Sequence, residues 1–164
     1  MSDLTRSITI DKAVLKALCH TDQIRATADA DSYLMQEKQS LYRLRHRLLD
    51  TSQPLSPEHA FLVLYDCLFR HVSIALLAQG YQFTSQQPHQ TLRRIVRQNA
   101  PDKQVQQMIA HRHMLKKTIS SSMCAKSITT LTKLLNDYDI RDAQACQMLC
   151  LLPLQRIVPS FATR

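Results

Sequence analysis

The chain contains a single glycine, Gly80, and it lies at the end of the most apolar stretch of the sequence. Residues 59–79 are apolar on almost every side of a helix, so other helices must surround this segment. A glycine just beyond such a run typically ends a helix, because it adopts the left-handed backbone conformation easily. Ser56 followed by Pro57 typically begins a helix, because the serine hydroxyl caps free backbone amides and proline fits the first turn. The sequence therefore predicts a central helix over residues 57–79.

Length and composition favour one all-α domain over residues 1–164. Hydrophobic residues make up 45% of the chain and aromatic residues only 5%, and one glycine is too few for the turns of a sheet protein. We expect an up-and-down helical bundle with essentially no sheet. The apolar periodicity and the caps predict helices over residues 11–20, 22–49, 57–79, 88–99, 101–120, 127–136 and 141–151, with acidic residues near 29 and 31 able to interrupt the second.

The sequence indicates a cytoplasmic protein with no membrane span. The apolar tail at residues 148–154 is too short to cross a bilayer and contains Pro153. Charged residues interrupt the N-terminal segment, whereas a signal peptide has an unbroken apolar run. Five cysteines without a CxxC pair indicate a reducing compartment. Cys146 and Cys150 lie one helical turn apart, and burial explains them more simply than a metal does. We therefore predict no metal and no cofactor.

The positive charge is concentrated in the middle of the chain. Residues 67–136 contain ten Lys and Arg residues and one acidic residue, whereas residues 1–66 contain eight basic and nine acidic residues. Such a basic surface attracts RNA, a nucleotide or an acidic partner protein. Few aromatic residues accompany it to stack on bases. The residues assigned here to nucleic-acid or anion binding are Arg70, His89, Arg93, Arg94, Arg97, Arg112, Lys116 and Lys117.

Arg112 has a side chain that conflicts with its position. The inward residues of the helix predicted over 101–120 are apolar, and helical spacing places Arg112 among them. A guanidinium there must pair with a buried acid such as Asp66, reach solvent by extending, or line a cleft that accepts an anion. His111 and His113 flank this arginine, and each alone is typical of a rim or packing residue.

These features resemble the HEPN domain family of small helical bundles. The resemblance covers residues 62–119, and the core would occupy about residues 57–137, between N-terminal helices at 11–50 and a C-terminal helix at 141–158. It is carried by a long apolar helix ending in Leu-Leu-Ala-x-Gly-Tyr, a short polar loop, a histidine such as His89 opening the next helix, and a helix with an inward arginine. The clearest part is the segment LYDCLFRHVSIALLAQGYQFTSQQPHQTLRRI.

In catalytically active HEPN domains, an arginine and a histidine separated by four to six intervening residues form a metal-independent ribonuclease site, usually completed across a dimer. The matching arginine is Arg112, but this spacing reaches Lys117, Thr118 and Ile119, so the histidine is missing. Neither lysine nor threonine titrates near neutrality as acid-base cleavage requires. The resemblance also implies non-catalytic members that bind nucleotides or partner a nucleotidyltransferase or antitoxin.

Three functions follow from these observations. The first is a non-catalytic HEPN-like binding or partner subunit of a bacterial toxin-antitoxin or defence system, which we expect to be a homodimer because of its exposed apolar segments. The second is an atypical ribonuclease in which Arg112 works with His111 or His113. The third is a helical adaptor without a nucleic-acid role, in which the basic half docks an acidic protein and residues 148–161 complete an interface.

Overall fold

A computed structural model describes residues 8, 10–98, 102–115, 128–129 and 131–132 of the chain. This part is mostly α-helical, with one pair of short strands. Residues 128–129 and 131–132 are also helical and lie within the helix predicted over 127–136. The remaining elements, in chain order, are α1 (Lys12–His20), β1 (Ile24–Ala26), α2 (Ala30–Leu49), α3 (Pro57–Leu77), β2 (Tyr81–Phe83), α4 (Pro88–Val96) and α5 (Asp102–Leu115). The helix predicted over 141–151 lies outside the described residues.

Helix α3 is the central element of the core. Eleven of its residues are buried, and it contacts α2, α4, α5 and β2. It is long and apolar enough to cross a membrane by length and composition alone, but 61% of its most apolar window is buried among the other elements, as in the core helix of a globular protein. The predicted central helix is confirmed.

Both ends of α3 follow the predicted local chemistry. The Ser56 hydroxyl accepts a hydrogen bond from the backbone N–H of His59 at 3.3 Å, and Pro57 is the first helical residue. After the helix ends, Gly80 adopts a φ of +84°, a left-handed conformation that costs glycine little. The backbone N–H of Gly80 donates to the carbonyl of Leu77 at 2.9 Å, and β2 begins at the next residue.

The predicted mostly α-helical fold is confirmed for the described residues, but they also contain a short two-stranded sheet that was not predicted. Strands β1 and β2 pair antiparallel, with Ile24 opposite Phe83 and Ala26 opposite Tyr81. The Thr84 hydroxyl extends the contact by donating to the carbonyl of Asp22 at 2.6 Å. Three-residue strands are too short to show an alternating pattern, and their pairing joins segments more than fifty residues apart.

The same strand pair shortens the second predicted helix. Helix α2 begins at Ala30, not at residue 22, because residues 24–26 are taken into the sheet. Asp22 reverses the chain with a φ of 55°, and Asp29 is the residue before the helix. The acidic residues near 29 and 31 thus mark the actual start of α2.

Candidate anion-binding site

Arg112 lies on α5 and points toward the start of α4. Val105, Met108 and Ile109 are buried on the same helix, so the arginine does interrupt an apolar stripe as predicted. Its side chain is half-buried, and one terminal nitrogen, Nη1, lies 3.1 Å from Nε2 of His89. The guanidinium carbon lies 5.1 Å from the ring centre of Tyr65, which is a cation-π contact.

His89 connects Arg112 to Tyr65. It is the second residue of α4, and its Nδ1 lies 3.0 Å from the hydroxyl of Tyr65 on α3. Because a guanidinium can only donate hydrogen bonds, Nε2 of His89 accepts from Arg112. The hydrogen-bond network therefore assigns the ring proton to Nδ1, which donates to the Tyr65 oxygen. Three helices thus contribute one side chain each to a single cluster.

Tyr65 is an uncharged support for this cluster. Its side chain is buried, and burial raises the pKa of the hydroxyl above its ordinary value, more than the nearby charge of Arg112 lowers it. The phenol therefore stays protonated at neutral pH. A protonated Tyr65 supplies a ring face to the cation and a hydrogen-bond partner to the imidazole without neutralising the positive charge.

The two histidines beside Arg112 have different surroundings. His113 is exposed, and its ring meets the edge of His89 with centroids 5.7 Å apart. His111 is buried against Phe61, with ring centroids 4.7 Å apart, and burial lowers its pKa. His113 therefore belongs to the cluster, whereas His111 is a packing residue of the core.

Aromatic side chains continue the cluster away from Arg112. The ring centroids of Phe69 on α3 and His89 are 6.0 Å apart. Phe69 also stacks on Phe83 of β2, with ring centroids 4.7 Å apart and an interplanar angle of 21°. Both phenylalanines are only partly buried. Sequence reasoning missed Tyr65, Phe69 and Phe83, because they precede the basic helices in the chain and only the fold brings them beside His89. A search of the central helix for aromatic residues on the Tyr65 face would have found the first two.

Arg112 keeps unused hydrogen-bonding capacity. Its Nε is buried and has no hydrogen-bond partner within the described part of the chain. Its contacts there are to the neutral groups of His89 and Tyr65. The buried ion pair with Asp66 required a buried carboxylate, and Asp66 is exposed. The charge of Arg112 is therefore held in place without a described carboxylate partner.

The other predicted binding residues divide into three groups. Arg70 is partly exposed and pairs with Glu37 of α2 at 2.7 Å, which ties α2 to α3 and engages one end of this guanidinium. Arg93 and Arg94 of α4 are half-buried, and Arg97, the residue just after the helix, is exposed. Lys116 and Lys117 lie outside the described residues.

The side chains with metal-binding chemistry do not converge in the described part of the chain. No group of three His, Cys, Asp or Glu residues there is placed to hold a metal ion. Cys67 is buried, and burial raises the pKa of its thiol to about 12, so it stays protonated and packs as an apolar group. Cys146 and Cys150 lie outside the described residues.

Comparison with known proteins found no matching family model, no matching curated protein and no matching solved structure. The resemblance of residues 62–119 to HEPN domains therefore stays a prediction. What the chain does has to be inferred from the chemistry of the site.

Proposed function

We propose that this chain is a HEPN-like helical subunit that binds single-stranded RNA, with a phosphate group at Arg112. The observation that carries this proposal is the half-buried guanidinium, whose described partners are neutral and whose Nε is unpartnered. A partly desolvated charge with neutral partners is costly unless an anion completes the site. A phosphate oxygen fits because guanidinium groups bind phosphate through two parallel hydrogen bonds.

The surroundings of Arg112 favour an anion. Helix α4 begins at the site, and its first turn contains no acidic residue that would offset the partial positive charge of the helix N-terminus. His89, Arg93 and Arg97 follow one another at intervals of four residues, and Arg97, just after α4, still has helical backbone angles, so the three lie along one side of the helix and its C-terminal end. A basic row leading away from a phosphate site supports a chain of phosphates better than a single small anion.

The aromatic residues favour single-stranded RNA over a duplex. The stacked pair of Phe69 and Phe83 lies beside His89, and unpaired bases stack on such rings. The basic segment itself is poor in aromatic residues, and this absence argued against nucleic acid at the level of sequence. The fold supplies the rings from α3 and β2, which removes that objection.

The proposed binding role is tested by measuring RNA affinity with fluorescence anisotropy. A labelled oligouridine should bind the wild-type chain, and Arg112→Gln should weaken binding by about tenfold or more, because a good phosphate contact contributes about 1.5–3 kcal/mol. Lys16→Gln on α1 is the matched control, since it removes one exposed positive charge elsewhere. Tyr65→Phe should have a smaller effect than Arg112→Gln, because it keeps the ring face under the guanidinium.

Two results would contradict the RNA-binding proposal. One is equal affinity of Arg112→Gln and Lys16→Gln for the oligonucleotide, which would reduce Arg112 to one charge among many. The other is no binding by the wild-type chain at low salt, where electrostatic attraction is greatest. The third function, an adaptor for acidic proteins, would then be favoured.

A metal-independent ribonuclease is the second candidate, because one specific contact favours it. The spacing in sequence lacks the histidine of active HEPN domains, yet His89 from another helix lies 3.1 Å from Arg112. Both ring nitrogens of His89 are engaged, by Arg112 and by Tyr65, so the base of such a reaction would be the exposed His113, whose ring lies against His89. A neutral imidazole can take the proton of a ribose 2′-hydroxyl as that oxygen bonds to the adjacent phosphorus and the bond from phosphorus to the 5′-oxygen breaks. The products are a cyclic phosphate and a 5′-hydroxyl, which takes its proton from the imidazolium or from water, while the guanidinium stabilises the charge developing on the phosphate.

This candidate predicts cleavage that needs RNA chemistry and no metal. Wild-type protein with EDTA should cut oligouridine, and it should leave the 2′-deoxy oligonucleotide intact because the attacking hydroxyl is absent. His113→Ala should abolish cleavage while RNA binding persists, because His113 makes no described contact with Arg112. Intact RNA after prolonged incubation with the wild-type chain would rule out this candidate and leave the binding role.

A further inference from the structure

Helix α2 carries several large apolar side chains that are exposed. Within the described residues, the large hydrophobic side chains left exposed are Tyr33, Met35 and Tyr42, with exposed fractions of 37%, 60% and 40%. All three lie on α2. Its inner face is well packed, since Leu41, Arg45 and Leu48 are buried, and α2 packs along α3.

Two of these side chains share the outward face of the helix. Met35 and Tyr42 are seven residues apart, which is close to two full turns, so they lie almost in line along the helix. Asp31 lies four residues before Met35, and His46 lies four residues after Tyr42, and both are exposed. The Tyr42 and His46 rings contact each other with centroids 6.1 Å apart. Tyr33 lies on a different side, because two residues turn a helix by about 200°.

The charges of α2 divide into two halves. Residues 29–37 contain three acidic and no basic residues, and residues 38–47 contain four basic and no acidic residues. Acidic residues at the start and basic residues at the end also suit the helix dipole. The dipole, however, gives no reason for Met35 and Tyr42 to be exposed between these two halves.

We propose that α2 binds α2 of a second copy of this chain in the antiparallel direction. The outward residues form two pairs, Asp31 with His46 and Met35 with Tyr42. The midpoint of each pair lies between Lys38 and Gln39, so the face is symmetric about that point. A two-fold axis at that point places Met35 of each copy against Tyr42 of the other, and sulfur-aromatic contacts of this kind are favourable.

The charges fit the same arrangement. Glu37 pairs with Arg70 and Arg45 is buried, so the exposed charges of α2 decide between the two directions. Antiparallel pairing places Asp31 of each copy opposite His46 and within one turn of Arg43 of the other. Parallel pairing would instead place Asp31, Lys38 and Arg43 each opposite its own copy, whereas antiparallel pairing leaves only Lys38 near its own copy, beside the axis. The second copy is therefore favoured over an unrelated partner, because Met35 meets Tyr42 and Asp31 meets a basic region in the same arrangement. This inference does not depend on RNA binding.

The dimer is tested by light scattering after gel filtration. The wild-type chain at micromolar concentration should have about twice the monomer mass of 18.9 kDa. Met35→Glu and Tyr42→Glu should each raise the dimer dissociation constant by about tenfold or more, because a charge enters the centre of the interface. Tyr33→Glu is the matched control, being an exposed aromatic residue on another side of α2. Circular dichroism should show all variants folded, since these side chains are exposed in the single chain.

A disulfide test locates the two-fold axis. Gln39→Cys should form a cross-linked dimer on mild oxidation, because its two copies would lie beside the axis. The two copies of Ser32→Cys would be about 20 Å apart along the paired helices, beyond the roughly 7 Å that a disulfide allows between Cα atoms. Both variants carry the same native cysteines, so only the difference between them is diagnostic.

Three outcomes would overturn this interface. A wild-type chain of monomer mass would exclude the dimer. A dimer that survives both Met35→Glu and Tyr42→Glu would place the interface elsewhere, for example on the apolar residues 148–161. Equal cross-linking of Gln39→Cys and Ser32→Cys would exclude the antiparallel register.

Discussion

The side chain of Arg112 is supported by neutral groups that hold a positive charge without cancelling it. His89 accepts its hydrogen bond and Tyr65 lies under the guanidinium, and burial keeps the phenol protonated. The sequence could predict that Arg112 interrupts an apolar stripe, because helical periodicity is local. It could not predict His89 as the partner, because 23 residues separate the two and only packing of α4 on α5 brings them together.

His111 provides a prediction about pH. Burial against Phe61 lowers its pKa below the ordinary value of 6.5, so the unfolded chain binds this proton more readily than the folded chain. The contribution of His111 to stability is therefore fully present above about pH 6.5 and falls as the solution becomes more acidic. Urea unfolding between pH 7.5 and 5 should show a shallower loss of stability for His111→Phe than for wild type.

The exposed His20 gives the control for this measurement. His20→Gln also removes one imidazole, but from the end of α1 and not from the core. If His111→Phe and wild type lose stability in parallel as the pH falls, the buried imidazole does not titrate as described.

At the level of elements, local signals located helices well and strands poorly. Ser56, Pro57 and Gly80 mark the ends of α3 because capping, ring geometry and left-handed backbone act within a few residues. Pro88 likewise begins α4. The strand pair was missed because β1 and β2 gain their stability from each other and from the buried Ile24, across a long separation in sequence.

The turn between α3 and β2 can be tested at Gly80. An added Cβ would meet no atom within 4 Å, so the cost of Gly80→Ala comes from its φ of +84° and not from a clash. The left-handed conformation costs an L-residue about 1–2 kcal/mol, and we expect that loss in the free energy of unfolding. Gln79→Ala, at the exposed neighbouring position, is the control and should change stability by much less. Equal stabilities for the two variants would contradict this role for Gly80.

At the level of the whole molecule, the basic residues of segment 67–136 include a residue that forms an ion pair within the fold and residues that lie along the surface of α4. Arg70 is partly exposed and pairs with Glu37 of α2, while Arg93 and Arg97 follow His89 along one side of α4 and its C-terminal end. Sequence counting found the excess of charge but could not show that Arg70 forms an ion pair within the fold. That ion pair depends on the packing of α2 against α3, and no local pattern shows this.

This distribution predicts how salt affects RNA binding. Each phosphate contact to single-stranded nucleic acid contributes a slope of about −0.7 to the dependence of log affinity on log salt. The wild-type slope should therefore become less steep by about 0.7 in Arg112→Gln and also in Arg97→Gln. Arg70→Gln should leave the slope unchanged, since Arg70 pairs with Glu37. Titrations at several salt concentrations measure these slopes. If Arg70→Gln reduces the slope as much as Arg112→Gln does, the distinction between a paired Arg70 and an RNA-binding Arg112 is wrong.

The most direct test of the RNA site observes the Nε–H group of Arg112 during an RNA titration. In nitrogen-15 NMR spectra, its resonance can be assigned by its disappearance in Arg112→Lys. Nε itself is buried, so a phosphate reaches the guanidinium at its terminal nitrogens. Because the charge is delocalised over the whole group, that contact should shift the Nε–H resonance, with the same saturation curve as RNA binding measured by anisotropy. Saturating RNA that moves the α4 arginine resonances but leaves Arg112 Nε–H unshifted would show that RNA binds elsewhere and that Arg112 is not the phosphate site.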